Sequence, residues 1–210
     1  MGVLCSCVAY AILLDGEMQL SNGFIVERIG STAIIRFTRP EVRNPLSIDV
    51  LEALIRVVEN VDGDVGAIVF TGSEGVFASG ADLRDIAGIT GTTAAEFANR
   101  GQRLMNLIEG FEGKTIAAVN GYCYGGALDL TLACDARIAS PSAVFCHPGA
   151  GLGIMTGWGG TQRLPRLVGE AEALEMFVTG KKVTASEALA AGLIDQINDD
   201  PVAAAIQACL

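Results

Sequence analysis

The sequence predicts a single α/β domain, and three features predict it. Short apolar runs alternate with amphipathic helical patterns along the chain. Half of the 210 residues are apolar, only 18% are charged and 26 are glycine, which suits a compact, turn-rich fold with a sizeable core. The third feature is the stretch Thr115–Ser140, TIAAVNGYCYGGALDLTLACDARIAS, around which the rest is arranged.

In chain order, Ile25–Arg28 and Thr32–Phe37 read as strands joined by a turn at Gly30–Ser31. Pro40 and Pro45 bracket a loop, and Ser47 is placed to cap a helix running to about Asn60. That helix carries Leu51, Leu54, Ile55 and Val58 on one face. Ala67–Thr71 is a short buried strand, followed by a loop over Gly72–Leu83. Ala94–Glu112 is a long amphipathic helix with Phe97, Leu104, Leu107, Ile108 and Phe111 on its apolar side. After Thr115–Ser140 come a strand at Val144–Cys146 and a glycine-rich loop over Gly149–Gly160. Helices are predicted at Gly169–Thr179 and Ala185–Ala191, with a last short one at Pro201–Leu210. Such alternation calls for right-handed crossovers between stacked units.

Within the central stretch, Ile116–Val119 has the length of a buried strand, Asn120-Gly121 turns the chain, and Gly125-Gly126 opens a helix with Asp129 in its first turn. Glycines at a strand-to-helix corner admit close backbone approach to a ligand and leave N–H groups unpaired at the positive end of the helix dipole. That chemistry suits a developing negative oxygen, although ordinary packing glycines give the same pattern.

The net charge of −10 argues against a nucleic-acid partner, because no basic stripe is available to neutralise a phosphate backbone. A small polyanion held by a few local arginines still fits. The six cysteines are scattered, and Cys123, Cys134 and Cys146 lie inside apolar segments, as buried thiols in a reducing compartment do. Cys5-x-Cys7 lacks a matching pair, so no metal site is predicted. Val3–Leu14 is apolar but too short to cross a bilayer, and no membrane partner is predicted. Met1-Gly2 with Ser6 formally fits a myristoylation pattern; the simpler reading is a start placed too early, with Met18 opening the domain. The expected division is thus an extension at 1–17, one domain at 18–198 and a short tail at 199–210.

The segment AAVNGYCYGGALDLTLACDARIAS, together with FASGADL at Phe77–Leu83 and GWGGTQRLPRLVG at Gly157–Gly169, resembles the crotonase (enoyl-CoA hydratase/isomerase) superfamily. The likeness runs from about Phe24 to Ile197. It implies a spiral of ββα units in one α/β domain, here with a shortened C-terminal helical region. It also implies an acyl-CoA thioester as substrate, coenzyme A entering only as part of it, and no separate cofactor. A cytoplasmic enzyme of fatty acid metabolism, assembled as a homotrimer or dimer of trimers, is the implied setting.

Residue by residue, the resemblance assigns backbone oxyanion donors to Ala81 and Gly126, and substrate contacts to Val42, Arg43, Pro45, Gly80, Asp82, Leu83, Gly125, Pro148 and Gly149. Arg39, Arg43 and Arg84 are either phosphate contacts or solvated surface charges. Asp82 is either a site residue or a helix cap. The chain departs from the hydratase pattern at the proton-transfer groups. Of the two glutamates that handle water in hydratases, the first maps to Asp129 and the second to Gly149, which has no carboxylate. Losing one arm of such a pair ordinarily costs orders of magnitude in rate. A glutamate restored at Gly149 is expected to face Asp129 and hold a water with it. His147, the single histidine of the chain, stands two residues before that gap and is read as either structural or a general acid/base. Cys146 and Ser79 are weaker candidates, with no base in view to activate them. Two mechanisms stay open: hydration or double-bond isomerisation with Asp129 as the acid/base, and decarboxylation or a related enolate reaction with His147. A catalytically weak acyl-CoA-binding homologue is the alternative outside catalysis.

Overall fold

The computed structural model describes residues 19–20 and 23–210; the extension expected at 1–17 lies outside the described residues. The chain opens with β1 (Gln19–Leu20), β2 (Phe24–Ile29), β3 (Thr32–Phe37), β4 (Pro45–Leu46) and α1 (Ile48–Glu59). Next come β5 (Ala67–Thr71), β6 (Val76–Ala78), β7 (Gly80–Ala81), α2 (Leu83–Ala87) and α3 (Ala94–Glu109). The middle holds β8 (Lys114–Val119), β9 (Tyr122–Tyr124), α4 (Gly126–Ala133), β10 (Ala136–Ala139) and β11 (Val144–Cys146). The end holds α5 (Gly160–Val168), α6 (Glu170–Thr179), β12 (Val183–Thr184), α7 (Ala185–Ala190), β13 (Gln196–Ile197) and α8 (Pro201–Ala208).

Two sheets carry the architecture. The larger has seven strands in the order β1-β2-β3-β5-β8-β10-β13, and the smaller has four in the order β12-β11-β9-β6. β5, β8 and β10 run parallel, with Val69 beside Ile116 and Ile116 beside Ala136. β6, β9 and β11 run parallel in the small sheet, with Val76 beside Tyr122 and Tyr122 beside Val144. Each turn of the chain therefore lays one strand in the large sheet, steps to the small sheet, and returns by a helix, which is the ββα spiral. The step from β8 to β9 passes through Gly121, where a Cβ would stand 1.7 Å from the Gly75 carbonyl oxygen of the preceding turn. Glycine at that corner lets successive turns stack backbone to backbone.

The main core lies between the sheets and α1, α3 and α4, with Phe37, Leu54, Phe70, Phe77, Leu104 and Phe145 fully buried or nearly so. The Ser47 side chain caps α1 by accepting from Val50 N at 3.4 Å, as its position before an apolar helical face predicts. A second cluster, Ile34, Val69, Ile116, Ala118 and Ile138, covers the opposite face of the large sheet and packs against Ala205 of α8. The short helix expected at Pro201–Leu210 is α8, and it is seated on that sheet. Lys114 Nζ donates to the Ala208 carbonyl at 2.8 Å and ties its end down.

Several boundaries differ from the sequence reading. The Gly72–Leu83 loop contains β6 and β7, α2 begins at Leu83, and the Gly149–Gly160 loop starts with a 3-10 turn over Pro148–Leu152. α3 stops at Glu109, where Gly110 caps it, so Phe111 packs from beyond the helix. No helix among the described residues is long and apolar enough to cross a membrane.

Candidate active site

A cavity of about 860 Å³ opens where the first residues of α4, the β7 corner, α3 and the His147–Trp158 loop converge. Its floor is the β7–α4 corner. Gly80, with φ of +82°, lies so close to α4 that a Cβ there would stand 2.4 Å from Gly126 N and 2.7 Å from the Tyr124 carbonyl oxygen. Only glycine meets both the left-handed φ and the contact. This brings Ala81, one residue on, beside the first turn of α4, where Gly126 N–H has no helical acceptor one turn back.

A second anchor fixes the mouth. Asn44 is buried in a left-handed conformation, with φ of 47°. Its side chain accepts from Arg39 N at 2.6 Å and donates to the Val76 and Phe77 carbonyls, both at 3.0 Å. β4 then pairs with β7, Pro45 beside Gly80 and Leu46 beside Ala81, which holds Val42, Arg43 and Pro45 on the cavity wall.

The arginines separate. Arg84 binds the Asp82 carboxylate through Nε at 3.0 Å and Nη2 at 2.6 Å, and Arg39 lies 3.7 Å from Glu41. Arg43 is exposed at the mouth and makes no ion pair among the described residues. Asp82 caps α2, accepting from Arg84 N at 2.8 Å. The Arg84 hydrogen bond holds its carboxyl below the ordinary carboxylate value, against the opposing effect of burial. Asp82 is thus both a cap and part of the cavity lining, together with Leu83.

On the far side stands the loop after β11. Gly125, Gly126, His147, Pro148 and Gly149 all line the cavity, whereas Gly80 and Asp129 do not. Asp129 is fully buried behind His147, whose Nε2 lies 3.0 Å from Asp129 Oδ1. Thr156 Oγ1 donates to the other oxygen, Oδ2. Gly160 closes a further side, since a Cβ there would stand 2.0 Å from Oδ1. Both carboxylate oxygens are engaged by the protein, and no free face is turned to the cavity.

The gap read at Gly149 is not a gap in space. Ile154 N donates to the Gly149 carbonyl at 3.0 Å, and a Cβ on Gly149 would stand 2.6 Å from the Ile154 carbonyl oxygen. The expectation that a glutamate fits there opposite Asp129 is corrected by this closure of the loop on itself. Cys146 faces away from the cavity, its thiol donating to the Gly180 carbonyl at 3.1 Å and pushed up by burial. Ser79 lines the cavity, and no base is hydrogen-bonded to its hydroxyl among the described residues.

Among the lining residues that the sequence reading did not assign to the site are Tyr124, Thr156 and Trp158. Trp158, 2% exposed, sits in a seat made by two missing side chains. A Cβ on Gly101 would stand 2.2 Å from its ring and one on Gly126 2.3 Å from it. Phe97 packs beside it at 5.6 Å between ring centroids. Together with Ile86, Ile89 and Ala98 these rings make an apolar wall running away from the Gly126 corner. The sole visible clue was GWGGTQRL itself, a lone tryptophan among glycines.

The chain is similar to known proteins over most of its length. The enoyl-CoA hydratase/isomerase family profile matches residues 27–207. The chain is 37% identical over 183 residues to a short-chain-enoyl-CoA hydratase of Clostridium acetobutylicum, covering 86% of this chain and 70% of that protein. It is 39% identical over 179 residues to a crotonyl-CoA hydratase of Syntrophomonas wolfei, covering 84% and 69%. Among solved structures, Pseudomonas aeruginosa DspI superposes with a TM-score of 0.86 at 36% identity, over 95% of this chain and 82% of that one. An enoyl-CoA hydratase from Bacillus anthracis gives 0.84 at 32%, over 90% and 75%. With the spiral fold, the profile match across most of its length and these relatives, the chain belongs to the enoyl-CoA hydratase/isomerase family of acyl-CoA enzymes.

Proposed function

We propose that the cavity holds an acyl-CoA thioester with its carbonyl oxygen between the backbone N–H groups of Ala81 and Gly126. The observation that carries this is the approach of Gly80 to Gly126, where no side chain intervenes between the β7 corner and the start of α4. Two such donors, with the positive end of the α4 dipole behind one of them, stabilise the enolate oxygen that forms when the α-carbon loses a proton or a carboxyl group. The apolar wall of Phe97, Ile86, Ile89 and Trp158 receives the acyl chain. The exposed guanidinium of Arg43 at the mouth, with Val42 and Pro45 beside it, suits the phosphates of coenzyme A.

The relatives named as hydratases make crotonyl-CoA hydration the first reaction to assay. Against it, the second carboxylate is absent and Asp129 is enclosed, which favours reactions that need an enolate and one proton carrier, double-bond isomerisation first among them. Decarboxylation shares those requirements. The test is a substrate panel of crotonyl-CoA, a 3-enoyl-CoA and a malonyl-type CoA, alongside calorimetric binding. Binding of acyl-CoA with turnover of the 3-enoyl thioester above crotonyl hydration is expected. No acyl-CoA binding at all overturns the proposal.

A homotrimer or dimer of trimers belongs to the same proposal. Exposed Leu174, Val178 and Leu189 on α6 and α7 support it, and sedimentation showing a monomer at micromolar concentration contradicts it. A cytoplasmic setting goes with the buried single thiols Cys123, Cys134 and Cys146.

A further inference from the structure

Asp129 is enclosed on every side that geometry resolves. His147 takes Oδ1, Thr156 takes Oδ2, and Gly160 backs so closely onto Oδ1 that a Cβ there would stand 2.0 Å from it. A carboxylate accepts hydrogen bonds and donates none, so the imidazole nitrogen facing it, Nε2, must carry the proton. In a neutral ring Nδ1 then holds a lone pair. His147 is 3% exposed, yet among the described residues Nδ1 has no hydrogen-bond partner and is not a fully occluded atom. His147 is one of the residues that line the cavity in which the acyl group is placed, and with Nε2 turned to Asp129 the nitrogen left for chemistry is Nδ1. Phe177, at 5.0 Å between centroids, packs against the ring.

We propose that His147 Nδ1 is the proton carrier of this site, that Asp129 never touches substrate and serves to fix the histidine tautomer, and that Thr156 is a positioning residue that locks the Asp129 carboxylate. The proposal rests on the acyl-CoA reading above and assigns its chemistry to one base. The Nδ1 lone pair takes a proton from the acyl α-carbon of a saturated thioester, or from the carbon between the double bond and the carbonyl of a 3-enoyl thioester. The C–H electron pair moves to the thioester oxygen as the enolate. The same proton, or one exchanged with solvent, returns to that carbon or to the far end of the conjugated system. No oxidant, metal or second acid is needed.

Thr156 makes the lock specific. Its hydroxyl bridges toward the turn that carries Trp158, since Trp158 N lies 3.4 Å from the same Oγ1. The loop from Pro148 to Gly160 therefore holds the carboxylate through this one side chain.

The chain has a single histidine, which makes the assignment directly observable. In ¹⁵N-labelled protein at about pH 8, long-range ¹H–¹⁵N correlation should show His147 as the Nε2–H tautomer with unprotonated Nδ1. The Nδ1–H tautomer, or an imidazolium at that pH, overturns the proposal. In parallel, solvent deuterium incorporation into butyryl-CoA is followed by mass spectrometry. His147→Gln is expected to lower exchange by roughly 10²-fold or more, the scale of a general base. Thr156→Val should lower the exchange rate at saturation by about tenfold with little change in KM, and Thr156→Ser should restore it. Asp129→Asn should lose the fixed tautomer in the nuclear resonance spectrum while calorimetry still detects acyl-CoA. Exchange at the wild-type rate in a folded His147→Gln protein that binds butyryl-CoA removes this assignment and leaves the acyl-CoA reading standing. Loss of butyryl-CoA binding by the wild-type protein removes both.

Discussion

The carbonyl oxygen of Ile154 occupies the position into which a side chain at Gly149 would have to grow, 2.6 Å from where its Cβ would be. The loop closes by its own backbone hydrogen bond, Ile154 N to Gly149 O at 3.0 Å. Gly149→Glu is therefore expected to disturb the loop without creating a water-holding pair. Crotonyl-CoA hydration should not rise, and even Gly149→Ala should cost about 1–3 kcal/mol in urea unfolding, as overpacking does. A folded Gly149→Glu protein with increased hydration contradicts this.

Trp158 reports on the seat formed by Gly101 and Gly126. A methyl group at either glycine collides with the indole at 2.2–2.3 Å. Gly101→Ala and Gly126→Ala should each shift the emission of this one tryptophan and weaken acyl-CoA binding. Unchanged emission in both variants contradicts the packing described.

Asp82 gives a pH signature. Its folded value is depressed below 3.8, first by the Arg84 hydrogen bond, so its contribution is present above the unfolded value and is lost as pH falls through the folded one. Asparagine caps a helix as well as aspartate does, so Asp82→Asn should cost less than about 1 kcal/mol at pH 7, through the lost negative charge, with the deficit fading in acid. The Arg84 side chain is 78% exposed, so solvent screens the ion pair and little is assigned to it. Urea midpoints of both proteins across this range check the sign; a deficit that grows in acid contradicts it.

The thiols divide by burial. Cys123 and Cys134 are buried, and desolvation pushes both thiols up, so neither offers thiolate near neutral pH. Cys209 is only half-buried; burial pushes its thiol up as well, so what sets it apart is access to solvent. Iodoacetamide at pH 8 should label Cys209 in the native protein and reach Cys123 and Cys134 only after unfolding. Rapid native labelling of either buried thiol contradicts their placement.

Much of the fold was legible because its strands are apolar runs ended by turn residues. Thr32–Phe37, Ala67–Thr71 and Val144–Cys146 stand where their patterns put them, and Ser47 caps α1. β7 and β12 were not legible, since two residues carry no period. The cavity could be outlined from the Gly80 and Gly126 motifs, but the surroundings of Asp129 could not. Thr156 lies 27 residues away in sequence, and the contact exists only because α5 brings Gly160 and the loop before it against α4. The absent glutamate at Gly149 read as an empty place because one-dimensional pattern shows missing side chains and not the backbone that fills their space.

The central claim is that a thioester carbonyl sits between the N–H groups of Ala81 and Gly126. Isotope-edited infrared spectroscopy of a ¹³C-carbonyl acyl-CoA tests it most directly. On binding, the carbonyl stretch should move to lower frequency as the two donors polarise the bond, and the shift should be diminished in a folded Gly126→Pro protein, where one donor is gone. A bound thioester whose carbonyl absorbs at its frequency in water contradicts the account.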